Sequence, residues 1–579
     1  MQCLSLALYD EIAEVCIVVS SPRAVVSWHH ARVKHFIDEP RSVVTDAIDA
    51  EVALSNGKLA RLDGFPAIKV VVRTDWDRSK VAVVSGGGAG HEPSHVGFVG
   101  DGMLTAAVCG EIFASPSVDA VLAGILAVTG APGCLLVVKN YTGDRLNFGL
   151  AAEKARAMGL AVEMVIVGDD VAIDAAPRPR GIAGTLFVHK VAGHLAREGA
   201  TLAEVKAGAE RVARGAVSIG LSMSSCTIPG RAAESRIGPN EVELGLGIHG
   251  EPGAELVPLR PVSQLAATMV AYVERALDSR ASQAAPVAFL VNDLGGVPPI
   301  ELAVATKAIL KATSRDVALV FGPGRFMTAL DMKGLSLSAL PLDAEVERAL
   351  LSEVGPRAWQ PGRRPAAPAP VPLPSALRHE EHAPSSDPAR RAIVERACEV
   401  LVAKQGELDA LDAKVGDGDT GTTFATAARA VLADLDRLPF ADASLLSAAI
   451  AERLSRVMGG SSGILLAIFF AAVGARVGEP ADWVAALKEG VRRMQEYGGA
   501  KEGDRTMLDA LVPAVAALEA GQGLTSASVA AREGAGRTAS MTKARAGRSS
   551  YVREEVLRGV PDPGAAAVAA VFEALASAS

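Results

Sequence analysis

The stretch Val81-Ala-Val-Val-Ser-Gly-Gly-Gly-Ala-Gly-His-Glu-Pro93 joins a β-branched run to a run of glycines. Residues 81–84 predict a buried strand, and a strand followed by glycines is typical of a dinucleotide-binding turn. Two residues contradict that interpretation: His91 stands where the third glycine belongs, and Pro93 opposes the helix that should follow. No Gly-Lys-Ser/Thr follows, which excludes a P-loop. The alternatives are a backbone that approaches a small ligand closely, with His91 at its rim, and a purely structural turn.

Short apolar runs alternate with helix-length apolar periodicities on both sides of this stretch, between residues 66 and 342. The predicted strands are Ile68–Val72, Val81–Val84, Cys134–Val138, Ala161–Val167, Val217–Ser222, Pro286–Val291 and Val317–Phe321. The predicted helices include Ser117–Val128, Phe148–Met158, Ile182–Arg197 and Leu202–Arg214. This alternation predicts an α/β domain over residues 36–354. Helices give way to strands near residue 215, so we predict two lobes, 36–215 and 216–354.

The composition changes after this domain. Residues 355–387 are rich in Pro and Ala, which predicts an extended linker without a packed core. Strand signals then disappear, and residues 388–579 predict an all-helical domain of eight helices, beginning at the Asp387-Pro388 cap. The last two helices of that set are predicted at about 524–546 and from Asp562-Pro563 onward. Residues 1–35 show no clear periodicity and are interpreted as an N-terminal extension of doubtful status.

Charge and cysteine content exclude several classes of protein. The 579-residue chain has a formal net charge of −8, which argues against a surface for nucleic acid or anionic membrane. Its six cysteines are dispersed and form no CxxC pair, which argues against a disulfide framework or a structural zinc site. No apolar segment is long enough to span a membrane. We therefore expect a cytoplasmic protein without nucleic-acid or membrane partners.

Polar residues follow the strand at 134–138 in the order Lys139-Asn-Tyr-Thr-Gly-Asp144-Arg145. In open α/β sheets, ligands bind just beyond the carboxyl ends of strands. Asp144 is therefore a candidate general base and Lys139 a candidate hydrogen-bond donor. The alternative is a surface loop that forms ordinary ion pairs.

A histidine lies between glycines in the run Gly245-Leu-Gly-Ile-His249-Gly-Glu251-Pro-Gly253. Such a histidine is accessible from several directions, and neutral imidazole is a nucleophile toward carbonyl groups, so His249 could form a covalent adduct. Metal ligation is less attractive, because no second histidine lies at helical spacing. His189 and His194 fall inside a predicted helix and are interpreted as packing or surface residues.

Three carboxylates crowd the predicted loop at residues 411–423, at Asp412, Asp417 and Asp419. Such crowding is unfavourable unless a cation or several donors lie among the acids. The ligand spacing of a calcium loop is absent, so Mg²⁺ is preferred. The following residues, Thr420-Gly-Thr-Thr423, predict a helix start, where N–H groups bind phosphate. The stretch therefore indicates a magnesium–nucleotide site, with an acidic surface turn as the alternative.

Small residues also precede the apolar helix of Ile464–Val473, in the run Met458-Gly-Gly-Ser-Ser-Gly463. Free N–H groups at this helix start suit phosphate but suit a plain helix cap equally. Residues 498–507 and 543–551 form similar loops. Each of these loops is weak support for a nucleotide site when taken alone.

Together these segments resemble the ATP-dependent dihydroxyacetone kinases, in which a ketone-binding domain and a nucleotide-binding domain share one chain. The resemblance extends from about Phe36 to the C-terminus. It rests on five motifs in family order: Gly-Gly-Gly-Ala-Gly-His-Glu-Pro at 86–93, Lys-Asn-Tyr-Thr-Gly-Asp at 139–144, Gly-Ile-His-Gly-Glu-Pro-Gly at 247–253, Asp-Ala-Lys-Val-Gly-Asp-Gly-Asp at 412–419 and Gly-Gly-Ser-Ser-Gly at 459–463.

The resemblance implies a covalent ketone site. A ring nitrogen of His249 would bond to the substrate carbonyl as a hemiaminal, while Asp144 takes the proton of the attacking hydroxyl and His91 assists on the hemiaminal side. The implied substrate-binding residues are Gly88, Ala89, Gly90, His91, Lys139, Asp144 and His249. Glycerol has no carbonyl, so a site that requires this bond can reject glycerol.

The resemblance also implies a Mg-ATP site in an antiparallel barrel of eight helices. Asp412, Asp417 and Asp419 would hold Mg²⁺. The implied nucleotide-binding residues are Thr420, Gly421, Thr422, Thr423, Ser461, Ser462, Gly498, Met507, Arg548, Asp562, Pro563 and Gly564. Relatives are homodimers, and the linker would let the nucleotide domain of one subunit serve the ketone site of the other.

The activity implied by the resemblance is phosphorylation of dihydroxyacetone, and also of glyceraldehyde, by ATP. A kinase for a four-carbon ketose such as erythrulose is the nearest alternative, because the same carbonyl capture would serve it. A ketone-sensing regulatory protein without turnover is the alternative from another class. The aspartate triad argues against a sensor, which needs no magnesium.

Overall fold

A computed structural model of the chain describes residues 35–173, 178–231, 236–374, 382–478, 480–546 and 548–577. Nearly all of the N-terminal extension, residues 1–34, lies outside this set. The chain divides into two compact units between Ala369 and Pro370. None of the described helices is both long and apolar enough to cross a membrane.

The first unit begins with a six-stranded mixed sheet. Its strands are β1 (Leu59–Arg61), β2 (Val70–Arg73), β3 (Ala82–Ala89), β4 (Ala106–Ile112), β5 (Cys134–Lys139) and β6 (Val162–Val167). The spatial order is β1-β2-β4-β3-β5-β6, and the four strands β4, β3, β5 and β6 are parallel. All residues of β3 and β5 are buried, as expected for central strands covered on both faces.

Helices cover both faces of this sheet. The helices around it are α1 (Val43–Ala53), α2 (Val118–Val128), α3 (Thr142–Ala157), α4 (Thr185–Arg197) and α5 (Leu202–Gly215). Helices α2 and α3 pack on one face, and α4 and α5 pack on the other. Helix α5 begins with a full capping box, because Thr201 and Glu204 bond each other's backbone N–H groups.

A second six-stranded mixed sheet follows in the same unit. Its strands are β7 (Val217–Ser222), β8 (Glu241–Leu244), β9 (Glu255–Pro258), β10 (Val287–Asp293), β11 (Val317–Gly324) and β12 (Gly334–Pro341). The order is β11-β10-β12-β7-β8-β9. Its helices are α6 (Val262–Asp278), α7 (Pro299–Ala312) and α8 (Ala344–Leu351). One buried core joins the two sheets, since side chains of β5 (Leu135, Val137) and β10 (Ala288, Leu290) belong to the same cluster.

The predicted α/β architecture is confirmed, but two predicted loops are regular structure. Residues 85–89 continue strand β3 instead of forming a turn, because Ser85 pairs with Val137 and Gly87 with Cys109 on its two neighbours. Thr142 to Arg145 form the first turn of α3 instead of a loop. Five strands have no counterpart among the predicted strands: β1, β4, β8, β9 and β12. Three of these, β1, β8 and β9, have only three or four residues, too few for a periodicity.

The second unit is all-helical, as predicted. Among its described residues, eight helices pack side by side and close into a ring, each against the next and the last against the first. In order they are α9 (Pro388–Ala403), α11 (Thr420–Ala433), α12 (Ala443–Val457), α13 (Gly460–Arg476), α14 (Trp483–Gly498), α15 (Leu508–Glu519), α16 (Gly523–Thr538) and α18 (Pro563–Ala576). The helix predicted at 524–546 therefore ends at Thr538.

Two further helices lie outside this ring of eight. They are α10 (Gln405–Val415) and the four-residue α17 (Glu554–Leu557). Helix α10 follows α9 after Lys404, whose backbone leaves the helical conformation. It contacts α11 and α18. Asp412 therefore lies on a helix, whereas the sequence predicted that all three acids share a loop.

Candidate active site

The loop that carries His249 leaves β8 and is held by two arginines. Arg180 Nη2 donates to the Gly245 carbonyl at 2.6 Å, and Arg236 Nη1 donates to the Gly250 carbonyl at 2.8 Å. The Asp170 carboxylate pairs with Arg180, and the Glu243 carboxylate pairs with Arg236. Charged hydrogen bonds of this kind are among the stronger ones in proteins, so the loop is fixed on both sides of the histidine.

Glu251 orients the imidazole of His249. The His249 Nδ1 atom lies 2.8 Å from Glu251 Oε1, and the backbone N–H of His249 donates to Oε2 at 3.0 Å. Burial alone would raise the pKa of the Glu251 carboxyl, but the hydrogen bond from His249 and its charge hold that pKa down, to about 2. The ionised carboxylate accepts a hydrogen bond from the Nδ1–H group. The proton therefore stays on Nδ1, and the lone pair of Nε2 is left for a nucleophilic role.

Three aromatic rings surround the His249 ring. Its centroid lies 4.5 Å from that of Tyr141, 5.0 Å from that of His91 and 5.3 Å from that of Phe113. Tyr141 precedes α3, His91 follows β3, and Phe113 follows β4. The fold therefore brings the three polar motifs predicted in the first unit to one place.

His91 is buried and neutral. Its Nδ1 atom lies 2.7 Å from the Thr328 carbonyl, so the proton is on Nδ1. The pKa of His91 is well below its usual value, because burial and the nearby charges of Lys139 and His249 disfavour the protonated form. Its Nε2 atom has no hydrogen-bond partner in the described part of the chain, and it is available to accept a proton.

Lys139 and Asp144 are also buried without partners for their reactive atoms. Lys139 Nζ, Asp144 Oδ1 and the Tyr141 hydroxyl each lack a hydrogen bond within the described residues. Burial lowers the pKa of Lys139, and the carboxylate of Asp144 opposes that shift. Buried polar atoms without partners are unfavourable, and several of them together indicate a polar ligand.

The glycine-rich end of β3 lies against the side chains of Lys139 and Asp144. A Cβ atom at Gly87 would lie 3.2 Å from Lys139 Nζ and 3.3 Å from Asp144 Oδ2, and the φ angle of Gly87 is 147°. Gly88 approaches the backbone of Phe113 so closely that a Cβ there would lie 2.8 Å from its Cα. Ala89 ends β3, and the Gly90 N–H donates to the Glu92 carboxylate. Any side chain at Gly87 would therefore crowd the polar atoms that face the ligand.

The aspartates of the second unit form a group suited to a hard cation. One oxygen each from Asp412, Asp417 and Asp419 lies within 4.8 Å of the others. Asp412 is buried, and its Oδ2 accepts hydrogen bonds from the N–H groups of Gly418, Asp419 and Thr420. The Asp412 carboxylate is thus fixed, while Asp417 and Asp419 are exposed. An all-oxygen set on two neighbouring elements fits Mg²⁺.

A cavity of about 590 Å³ opens beside the aspartates. Gly421 and Thr422 do not line it, and the Thr422 N–H and hydroxyl bond Asp409 instead. The side chain of Arg548 lies outside what the structure describes. The predicted residues that line the cavity are Asp412, Asp417, Asp419, Thr420, Thr423, Ser461, Ser462, Gly498, Met507, Asp562, Pro563 and Gly564.

Comparison with known proteins agrees with both the His249 site and the aspartate site. Residues 52–357 match the Dak1 domain and residues 414–577 match the DAK2 domain. The dihydroxyacetone kinase of Citrobacter freundii is 48% identical over 547 residues, which cover 93% of this chain and 98% of the relative. The chain belongs to the dihydroxyacetone kinase family. A putative 3,4-dihydroxy-2-butanone kinase of Solanum lycopersicum is 44% identical over 94% of this chain and 98% of its own length.

A solved structure of this kinase family gives the same picture. The dihydroxyacetone kinase from C. freundii, in complex with AMP-PNP and Mg²⁺, has a TM-score of 0.76 at 46% identity and covers 94% of this chain and 100% of its own. AMP-PNP is an ATP analogue with a nitrogen in place of the bridging oxygen between the β- and γ-phosphorus atoms. That protein therefore binds a metal and a triphosphate on the same fold.

Sequence reasoning about this kinase missed four residues at the two sites. Glu251 was quoted in the histidine motif without a role, although a carboxylate two residues from a histidine could have been recognised as its partner. Tyr141 was inside a quoted motif but had no role. Phe113 and Arg505 gave no signal, because their positions depend on contacts distant in sequence.

Proposed function

We propose that the chain transfers the γ-phosphoryl group of Mg-ATP to dihydroxyacetone, which it holds covalently on His249. The observation that carries this proposal is the Glu251–His249 pair: a carboxylate fixes the proton on Nδ1, and Nε2 remains nucleophilic. Around it lie the unpartnered buried atoms of His91, Lys139 and Asp144, which suit the oxygens of a small keto sugar.

In the proposed first step, Nε2 of His249 adds to the C2 carbonyl of the substrate. A C–N bond forms while the carbonyl π bond breaks, and the oxygen takes a proton from the ammonium group of Lys139 to complete the hemiaminal. The ring of His249 becomes positively charged, and the adjacent Glu251 carboxylate stabilises that charge. We assign contact with the hemiaminal oxygen to His91, with Lys139 as a further donor, and we assign the glycine backbone of Gly88, Ala89 and Gly90 to the substrate-binding surface.

The proposed second step is phosphoryl transfer to a terminal hydroxyl. Asp144 takes the proton of that hydroxyl as its oxygen attacks the γ-phosphorus, the bond from that phosphorus to the β–γ bridging oxygen breaks, and ADP leaves. Reversal of the hemiaminal then breaks the C–N bond and frees the phosphorylated ketone from His249. When bound at Asp412, Asp417 and Asp419, Mg²⁺ neutralises phosphate charge and orients the nucleotide. At the starts of α11 and α13, Thr420 and Thr423 would direct hydroxyl groups at the phosphates, and Ser461 and Ser462 would direct N–H and hydroxyl groups at them.

The same carbonyl capture admits other substrates. We include glyceraldehyde, whose aldehyde can add to Nε2 in the same way. A four-carbon ketose such as erythrulose is the second candidate, and the name of the tomato relative, a kinase for a four-carbon ketone, favours testing it. A sensor without turnover would have no use for the magnesium triad.

We further propose a cytoplasmic homodimer. The described cysteines Cys109, Cys134, Cys226 and Cys398 are free thiols, which suits a reducing compartment. The dimer is proposed on family resemblance, with the Pro-rich linker allowing one subunit's nucleotide domain to serve the other's ketone site.

ATP consumption with dihydroxyacetone, glyceraldehyde, erythrulose and glycerol tests the proposal. We expect turnover with dihydroxyacetone and none with glycerol, and equal turnover of glycerol would contradict the covalent mechanism. His249→Ala should abolish the mass increase of the enzyme trapped with dihydroxyacetone, while His382→Ala, in the segment before α9, should retain it. A trapped adduct of unchanged yield in His249→Ala would also overturn the assignment.

A further inference from the structure

Arg505 is the largest fully buried side chain among the described residues and lies in the loop before α15. Its relative exposure is 1%. Nη2 donates to the Val560 carbonyl at 2.7 Å, but Nε and Nη1 are buried and find no acceptor among the described residues. A buried guanidinium with two unused donor nitrogens is costly, so the site favours an anion as a ligand.

The backbone of Arg505 adds a second observation. Its φ angle is +62°, a left-handed conformation that non-glycine residues rarely adopt. The loop is held in place by carboxylates: Asp509 accepts the N–H groups of Gly503 and Thr506, and Asp504 accepts that of Lys501. Strain that the surrounding structure maintains is common at ligand-binding positions.

Arg505 lines the cavity that also contains the aspartate triad. Val560, its hydrogen-bond partner, packs against the apolar cluster that includes Val415, the last residue of the helix that carries Asp412. Burial lowers the pKa of the guanidinium, and the carboxylates of Asp562 and Asp509 oppose that shift. These two acids are near enough to balance part of the charge, but neither bonds Nε or Nη1.

We propose that Arg505 binds the phosphate chain of the nucleotide through Nε and Nη1, as a phosphate-binding residue in addition to the magnesium site. A guanidinium presents donors in a planar fork that matches two phosphate oxygens. Adenine and ribose are neutral and would leave its charge unbalanced. This inference rests on the proposed function, because it takes the nucleotide to be the occupant of the cavity.

Equilibrium binding of Mg-ATP, Mg-ADP, AMP and adenosine to the full chain tests the inference. The variants are Arg505→Met, which removes the charge, and Arg505→Lys, which keeps the charge but loses the fork. Arg492→Met, on the exposed side of α14, is the matched control. We expect the Kd for Mg-ATP and Mg-ADP to rise roughly 10- to 100-fold in Arg505→Met, with a smaller rise in Arg505→Lys. Adenosine affinity should stay within about twofold of wild type, since adenosine has no phosphate.

Several results would contradict the assignment of Arg505 to the phosphates, and one would contradict the proposed function. An equal loss of affinity for adenosine and ATP would show that Arg505 positions the pocket as a whole and would overturn the inference. Unchanged ATP affinity, or unfolding of both variants by circular dichroism, would assign Arg505 a structural role. If the wild-type chain itself failed to bind Mg-ATP, the proposed function would fall, and that result is distinct from a failure of the Arg505 assignment alone.

Discussion

Both carboxylate oxygens of Glu251 accept hydrogen bonds from His249, one from the ring Nδ1 atom at 2.8 Å and the other from the backbone N–H at 3.0 Å. The carboxylate thus fixes the tautomer of the imidazole and the direction of its ring together. This is how a carboxylate prepares a histidine for chemistry in the hydrolase triads, although in the proposed mechanism the histidine is the nucleophile.

Glu251→Gln should impair adduct formation more than folding. An amide has one acceptor oxygen where the carboxylate has two, so one of the two His249 donors would face an N–H group, and the Nε2-protonated tautomer would gain population. We expect kcat to fall by roughly 100-fold or more. Steady-state kinetics would measure the fall in kcat, and trapping of the adduct would measure how much of it forms. Glu255→Gln, on the exposed strand β9, is the matched control, and equal activity of both variants would refute the orienting role.

Gly87→Ala should block the ketone site. The new Cβ would crowd Lys139 Nζ and Asp144 Oδ2, which displaces the polar atoms that face the substrate. Misplacement of reacting groups by about 1 Å can cost roughly 100-fold in rate. Gly57→Ala is the control, because Gly57 also has a positive φ, of 74°, but has open space around it. The measurement is kcat/KM for dihydroxyacetone, and similar losses in both variants would mean that backbone strain alone is responsible.

Asp417→Ala should weaken Mg-ATP binding without affecting the ketone site. Without one of the three carboxylates, Mg-ATP binding should weaken at least about tenfold, whereas the covalent adduct on His249 should still form. Calorimetric titration with Mg-ATP and mass spectrometry of the trapped enzyme would follow the two events. Asp436→Ala removes an exposed carboxylate from a short 3₁₀ helix and should change neither. Retention of full Mg-ATP affinity in Asp417→Ala would exclude Asp417 from the metal site.

The free energy of unfolding of the first unit should decrease as the pH is lowered. Burial lowers the pKa of His189 to about 3, so the folded state resists a proton that the unfolded chain accepts near pH 6.5. The stability that comes from neutral His189 is complete above pH 6.5 and is lost as the pH falls toward 3. Between pH 7.5 and pH 5 this single group accounts for roughly 2 kcal/mol.

His189→Gln tests this linkage. Glutamine does not titrate and can still bond the Ser85 hydroxyl, which lies 3.0 Å from His189 Nε2. Between pH 7.5 and pH 5, the melting temperature of the variant should decrease less than that of wild type. Scanning calorimetry would measure both. The transition of the all-helical unit, which lacks this residue, is the internal control. An identical pH dependence in the variant would contradict the assignment.

Most of the fold was predictable from local patterns. The apolar run at 134–138 is a strand, because buried central strands need continuous apolar residues. Residues 217–222 are also a strand, and there Val217, Ile219 and Leu221 alternate with serine and glycine. The Asp387-Pro388 cap starts α9 as predicted, and the Asp387 carboxylate accepts hydrogen bonds from the N–H groups of Ala389 and Arg390. The glycines at 86–88 were predicted to form a loop, because glycine has a low strand propensity. They are in a strand because β3 pairs with a neighbouring strand on each side.

The sequence by itself determined an α/β unit followed by a helical one, an acidic triad suited to magnesium, and a histidine between glycines suited to a carbonyl. These follow from periodicity and residue chemistry, which act over a few neighbouring residues. Only the tertiary structure decided that Glu251 fixes the tautomer of His249 and that His91, Tyr141 and Phe113 surround its ring. It also decided that Arg505, with two donors unused among the described residues, lines the same cavity as the triad. Those relationships depend on burial and on contacts between segments distant in sequence, which local patterns do not specify.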